Sequence, residues 1–93
     1  MILFKWDPNK NNINIIKHGV GFEEASSVFF DENALLINDD AHSGDEERFV
    51  IIGVSYRGNL LVVCHCYREN DEIIRIISAR KATKRELQYY LEG

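Results

Sequence analysis

Three β-rich segments, 48–55, 60–67 and 73–81, follow one another with only short turn-type stretches between them. This feature constrains the fold more than any other. The first gap is Tyr56-Arg57-Gly58-Asn59 and the second is Arg68-Glu69-Asn70-Asp71-Glu72. Both have hairpin length and carry the Gly, Asn and Asp residues that tight turns use. Three successive strands joined this way form an antiparallel meander. Apolar residues occupy both parities, as in Leu60-Leu61-Val62-Val63, so the sheet is expected to be covered on both faces along part of its length. Strict alternation along the third segment puts Arg75 and Arg80 on opposite faces.

The flanking stretches read as helices and short strands. Residues 2–6 are strand-like, and Asp7-Pro8 then starts a helix. Asp is a favoured N-cap, and Pro fits the first helical position because its missing N–H would be unpaired there anyway. Ile13, Ile15 and Ile16 give a short apolar stripe, and Gly19 after Lys17-His18 is the expected stop. A second helix is predicted over 22–30, with Phe22, Ala25, Val28 and Phe29 on one face and Glu23 and Glu24 in the first turn. Ala34 to Ile37 is a short apolar run, and Asn38 to Glu47 a polar loop. Thr83 to Glu86 is a capping box opening a last helix, whose Leu87, Tyr90 and Leu91 are expected to face inward. The expected architecture is α+β in the order β-α-α-β-β-β-β-α, one domain over residues 1–93.

Composition removes several classes. At 45% hydrophobic the chain is ordinary for a globular domain. It has no run near the roughly 20 apolar residues of a membrane span. The start meets Lys5 and Pro8 before any apolar run develops, so no signal peptide is expected and the expected location is the cytoplasm. The net charge of −4 is unevenly spread. Residues 1–72 hold six basic and thirteen acidic groups, while residues 73–93 hold five basic and two acidic. A basic stripe on an acidic body is a candidate footprint for an anionic partner.

Few residues offer chemistry. Lys17-His18 closes the first helix, either as a dipole-compensating cap or as a phosphate-facing pair with a proton-transferring imidazole. Arg80, with Lys81, Lys84 and Arg85, forms the C-terminal stripe, and Arg48 opens the first meander strand. Guanidinium groups match phosphate oxygens bidentately; the plainer alternative is salt bridges to Glu46, Glu47 and Glu72. Cys64-His65-Cys66 would place both thiols on one strand face and the imidazole on the other, a poor tetrahedral site. No metal and no cofactor are expected, since no phosphate-cradling Gly-rich loop occurs either. His42-Ser43-Gly44-Asp45 resembles a hydrolytic triad by residue type only, and no nucleophile elbow is present.

The ordered set Trp6-Asp7-Pro8-Asn9-Lys10, Asn14 to Ala25, Val28-Phe29-Phe30-Asp31, His42-Ser43, Glu46-Glu47-Arg48, Ile52-Gly53 and Arg75 to Ala82 resembles the BrnT family of toxins, within the wider RelE-like ribonuclease superfamily. The resemblance spans nearly the whole chain. It implies a RelE-like fold, helices packed on a small curved antiparallel sheet. It further implies a cytoplasmic type II toxin that cleaves RNA without a metal and inhibits translation. A cognate BrnA-type antitoxin of the ribbon-helix-helix kind would silence it, with DNA engaged only through that complex. For such cleavage the assignments are His18 to proton transfer, Lys17 to charge stabilisation or proton transfer, and Arg48 and Arg80 to the scissile phosphate. Lys81, Lys84 and Arg85 would hold flanking phosphates, and Glu47 is an alternative base. The competing reading is a non-catalytic or degenerate module that binds an antitoxin or another acidic protein.

Overall fold

The computed structural model describes residues 2–93. In chain order the elements are β1 (Leu3–Lys5), α1 (Pro8–His18), α2 (Phe22–Ser27), a 3-10 turn (Val28–Phe30) and β2 (Leu35–Asn38). A second 3-10 turn (Asp40–His42), β3 (Phe49–Val54), β4 (Leu60–Arg68), β5 (Ile73–Lys81) and α3 (Lys84–Glu92) follow. One sheet has the order β1-β5-β4-β3-β2. The expected α+β order holds. β2 to β5 are antiparallel, whereas β1 lies parallel on β5, with Leu3 opposite Ile73 and Lys5 opposite Arg75. Among the described residues no helix is long and apolar enough to cross a membrane.

The local signals act where the sequence puts them. The Asp7 carboxylate accepts from the Asn9 N–H at 2.8 Å, and Gly19 ends α1 at φ 71°, a conformation that costs glycine little. α2 is shorter than predicted: regular helix stops at Ser27 and Val28–Phe30 tighten into a 3-10 turn. The tightening coincides with a close approach, because a Cβ on Gly53 would lie 3.1 Å from the Val28 carbonyl oxygen.

The core lies on one face of the sheet. Val20, Phe22, Ala25 and Val28 pack on Ile51, Leu61, Val63, Ile76 and Ala79, with Phe4, Trp6 and Phe29 at the margin. Each fully buried Val, Leu, Ile or Phe of this set contributes roughly 1.5–3 kcal/mol. β1 pairs with β5 only as far as Arg75, and α1 takes over the edge beyond it. The Asn14 amide nitrogen donates to the carbonyls of Ala79 and Val20 at 2.8 Å each, and its oxygen accepts from the Ala79 N–H at 3.1 Å. One side chain thus stands in for a neighbouring strand.

The second face is covered at one end only. Leu35, Ile52, Val62 and Arg80 form a cross-strand row, and α3 lies against β3 there. It is held by Tyr90, whose hydroxyl donates to Asp31 at 2.7 Å, and by Glu86 on Arg80. Contrary to the expected inward stripe, Leu87 and Leu91 stay 39% and 66% exposed. The helix leans on its Glu86 and Tyr90 side, where polar anchors exist.

A β-bulge then changes which residues share that face. Cys64 stands opposite Ser78 but His65 stands opposite Ile76, so Ile77 is the extra residue of β5. Arg80 pairs with Val62 and Arg75 with Cys66, both on the same face of β4. The expectation of Arg75 and Arg80 on opposite faces fails, because the bulge resets the alternation between them.

Candidate active site

The uncovered part of the second face is a cleft of about 260 Å³. Val50, Val62, Cys64, Ile77 and Ser78 form its floor, and Arg48, Arg80, Asp39 and His42 its rim. The loop carrying Asp39, His42 and Arg48 is closed on itself. The Asp39 N–H donates to the Arg48 carbonyl at 2.9 Å, the Ser43 hydroxyl donates to the Asp39 carbonyl at 2.9 Å, and the Arg48 N–H donates to that hydroxyl at 3.0 Å. His42 Nδ1 lies 3.0 and 3.1 Å from the two carboxylate oxygens of Asp39. That contact orients the ring and leaves Nε2 outward, the arrangement in which a carboxylate positions a proton-transferring imidazole. Among the described residues the Arg48 side chain makes no salt bridge.

Arg80 is held by α3 rather than by the acidic residues expected. Its Nη1 and Nη2 donate to the two Glu86 oxygens at 2.7 and 2.8 Å, and Nη1 also reaches the Lys81 carbonyl at 3.3 Å. The bond from Arg80 holds the Glu86 carboxyl well below its ordinary value, at about 2, and Glu86 in return raises Arg80. Three of the five guanidinium N–H donors are engaged, leaving Nε–H and the second Nη2–H as a side-on fork for an anion. Glu86 also completes the capping box with Thr83, accepting from its N–H at 2.8 Å. Arg68, not Arg80, pairs with Glu46, at 2.7 Å.

The remaining assigned residues lie elsewhere. Lys17 and His18 line an adjoining hollow of about 200 Å³ with Lys10, Ile13 and Asn14, which shares Ile77 and Ser78 with the cleft. Lys81 stands opposite Leu61 at the end of β5, and Lys84 and Arg85 sit in the first turn of α3. Arg85 donates to the Tyr89 hydroxyl at 2.9 Å and lies over its ring. None of these three lines the cleft. Glu47 accepts from Asn38 at 2.9 Å and faces another hollow, with Leu36, Phe49 and Tyr67.

The Cys-His-Cys run divides between the faces. His65 is fully buried in the core, its rings in edge contact with Phe29 and Tyr67, while Cys64 floors the cleft. Burial pushes the Cys64 thiol up, which suppresses the thiolate a nucleophile would need. Among the described residues no group of three or more His, Cys, Asp or Glu side chains is placed to hold a metal ion. Sequence reasoning passed over the Asp39–His42 pair. Its signal was the spacing of three within a polar loop, which means little until the loop is known to close.

The family model described as "Ribonuclease toxin, BrnT, of type II toxin-antitoxin system" matches residues 6–86. A solved structure, the ribonuclease toxin BrnT of Brucella abortus, resembles the chain with a TM-score of 0.70 and 23% identity. The likeness covers 90% of this chain and 100% of that one, and at this identity it speaks to the fold. No curated protein sequence matches.

Proposed function

Because this chain belongs to the BrnT family of ribonuclease toxins of type II toxin–antitoxin systems, we propose that it is an endoribonuclease acting in the cytoplasm, which cleaves RNA without a metal and so inhibits translation. The observation that carries this reading is the joint lining of one open cleft by Arg48, Arg80 and a carboxylate-oriented His42. The ribose 2′-oxygen attacks the adjacent phosphorus, the P–O5′ bond breaks, and a 2′,3′-cyclic phosphate and a 5′-hydroxyl result. Arg48 and the side-on fork of Arg80 stabilise charge on the phosphoryl oxygens. His42 is favoured over His18 for proton transfer at 2′-OH, because it lines the cleft itself. Lys17 and His18, across Ile77 and Ser78, supply the second proton at O5′. A BrnA-like ribbon-helix-helix antitoxin would neutralise the toxin by covering this face, and DNA would be engaged only through that complex.

Single-turnover cleavage of saturating RNA tests the assignment. Arg48→Ala and Arg80→Ala should each lose about 10²–10³ in rate, and His42→Ala about 10²–10⁴. An inactive His18→Ala beside a fully active His42→Ala would return 2′-OH activation to His18. A second reading draws on the bidentate Glu86 pair, which is what a structural Arg80 would make. It casts the domain as a non-catalytic module for an antitoxin or another acidic protein. In that case Arg80→Ala lowers the melting temperature and no variant changes RNA.

A further inference from the structure

The bulge brings Arg75 to the face of Arg80, and there the pairing with β1 sets it beside another cation. Lys5 and Arg75 are in-register neighbours on the parallel strands β1 and β5, so their side chains leave the same face about 5 Å apart at the backbone. Like charges directly opposite one another on a sheet are destabilising, and neither residue makes a salt bridge among the described residues. Both line a hollow of about 530 Å³ with Tyr67, Arg68, Ile73, Glu46 and Glu69. Of the two carboxylates in that lining, Glu46 is taken by Arg68 at 2.7 Å, and Glu69 makes no salt bridge among the described residues. Two cations thus stand side by side with no ion pair of their own among the described residues, on the face they share with Arg80 because Ile77 is looped out of register.

We propose that Lys5 and Arg75 form a phosphate subsite for a nucleotide flanking the cleavage point. Single-stranded RNA then crosses the open sheet face from Arg80 and Arg48 toward β1. The subsite rests on the ribonuclease reading above and replaces α3 as the seat of the flanking phosphates. Arg75 and Arg80 are separated by roughly 15 Å along β5, a span of a few nucleotides rather than one. On this path Lys84 and Arg85, which lie on α3 and line neither hollow, fall outside the RNA track.

The test uses a fluorescent 2′-O-methyl oligonucleotide, which lacks the attacking hydroxyl and reports binding alone, titrated by anisotropy over a range of salt. Lys5→Gln/Arg75→Gln should weaken binding roughly tenfold and make the log–log salt slope shallower by about 1.4, the loss of two single-strand phosphate contacts. Arg75→Lys, which keeps the charge and guards against a folding artefact, should keep the parent slope. An unchanged Kd and slope in the double variant, with a parent that still cleaves unmodified RNA, overturns the subsite alone. A slope lost in Lys84→Gln/Arg85→Gln instead puts the flanking phosphates on α3 and also overturns it. Weakened binding of poly-glutamate with RNA binding intact would assign the pair to an acidic protein. A parent that neither binds nor cleaves RNA overturns the ribonuclease reading and the subsite together.

Discussion

His65 is enclosed by Phe29, Phe49 and Tyr67, and burial pushes its imidazole from an ordinary 6.5 down to about 4. The unfolded chain therefore takes up a proton at this residue as pH falls through 6.5, while the folded chain does not until about 4. Stability should fall across that window by about 3 kcal/mol from this residue alone. Denaturant melts of the parent and of His65→Leu between pH 7 and 4 check it: the parent's stability minus the variant's should fall steadily as pH drops. Glu86 works in a lower window. Its depressed carboxyl contributes stability that is complete above 4.5 and lost as pH falls toward 2. At this scale the sequence was readable where a signal is local. Asp7, Gly19 and the Thr83–Glu86 box each act within four residues of themselves. The Asp39–His42 pair and the second role of Glu86 were not readable, since a polar loop gives no periodic signal for its 3-10 turn and the angle at which α3 folds back on β5 is not written in a capping box.

Among the elements, α1 shows how one polar residue can fix a helix on a sheet. Asn14→Leu removes three hydrogen bonds and leaves the Ala79 N–H and two carbonyls unpaired in a buried setting. It should cost roughly 2–5 kcal/mol, read as a lower urea midpoint at unchanged slope. Leu91→Gln on α3 should stay within about 0.5 kcal/mol of the parent, because that side chain is already 66% exposed. The sequence pattern named the right elements and erred on how α3 sits. Helical periodicity tells which residues share a face, but Glu86 and Tyr90 decide which face meets the sheet. The bulge left one trace, the consecutive Ile76-Ile77 that breaks the alternation of β5. Doubled apolar residues are also what a strand covered on both sides shows, so the trace alone did not distinguish the two.

The whole molecule carries a net charge of −4, so its attraction for RNA must come from the open face rather than from the average. Cleavage should survive excess EDTA, since the proposed proton-transfer and charge-stabilising groups are all side chains of this chain. Activity lost in EDTA and restored by Mg²⁺ or Zn²⁺ would refute that mechanism. The parallel pairing of β1 with β5 has a consequence in time. Leu3 waits for Ile73, Asn14 for Ala79, and the core residues Val20 and Phe22 for Ile76. During synthesis the amino-terminal third emerges first, and although its core residues can meet Ile51, Leu61 and Val63 earlier, β1 and α1 gain their sheet edge only when β5 follows. Contacts this far apart form late and slowly. A ribosome making this protein should therefore carry a chain without its β1 and α1 edge until β5 has been made, and in stalled nascent chains ending before residue 73 protease should cut β1 and α1.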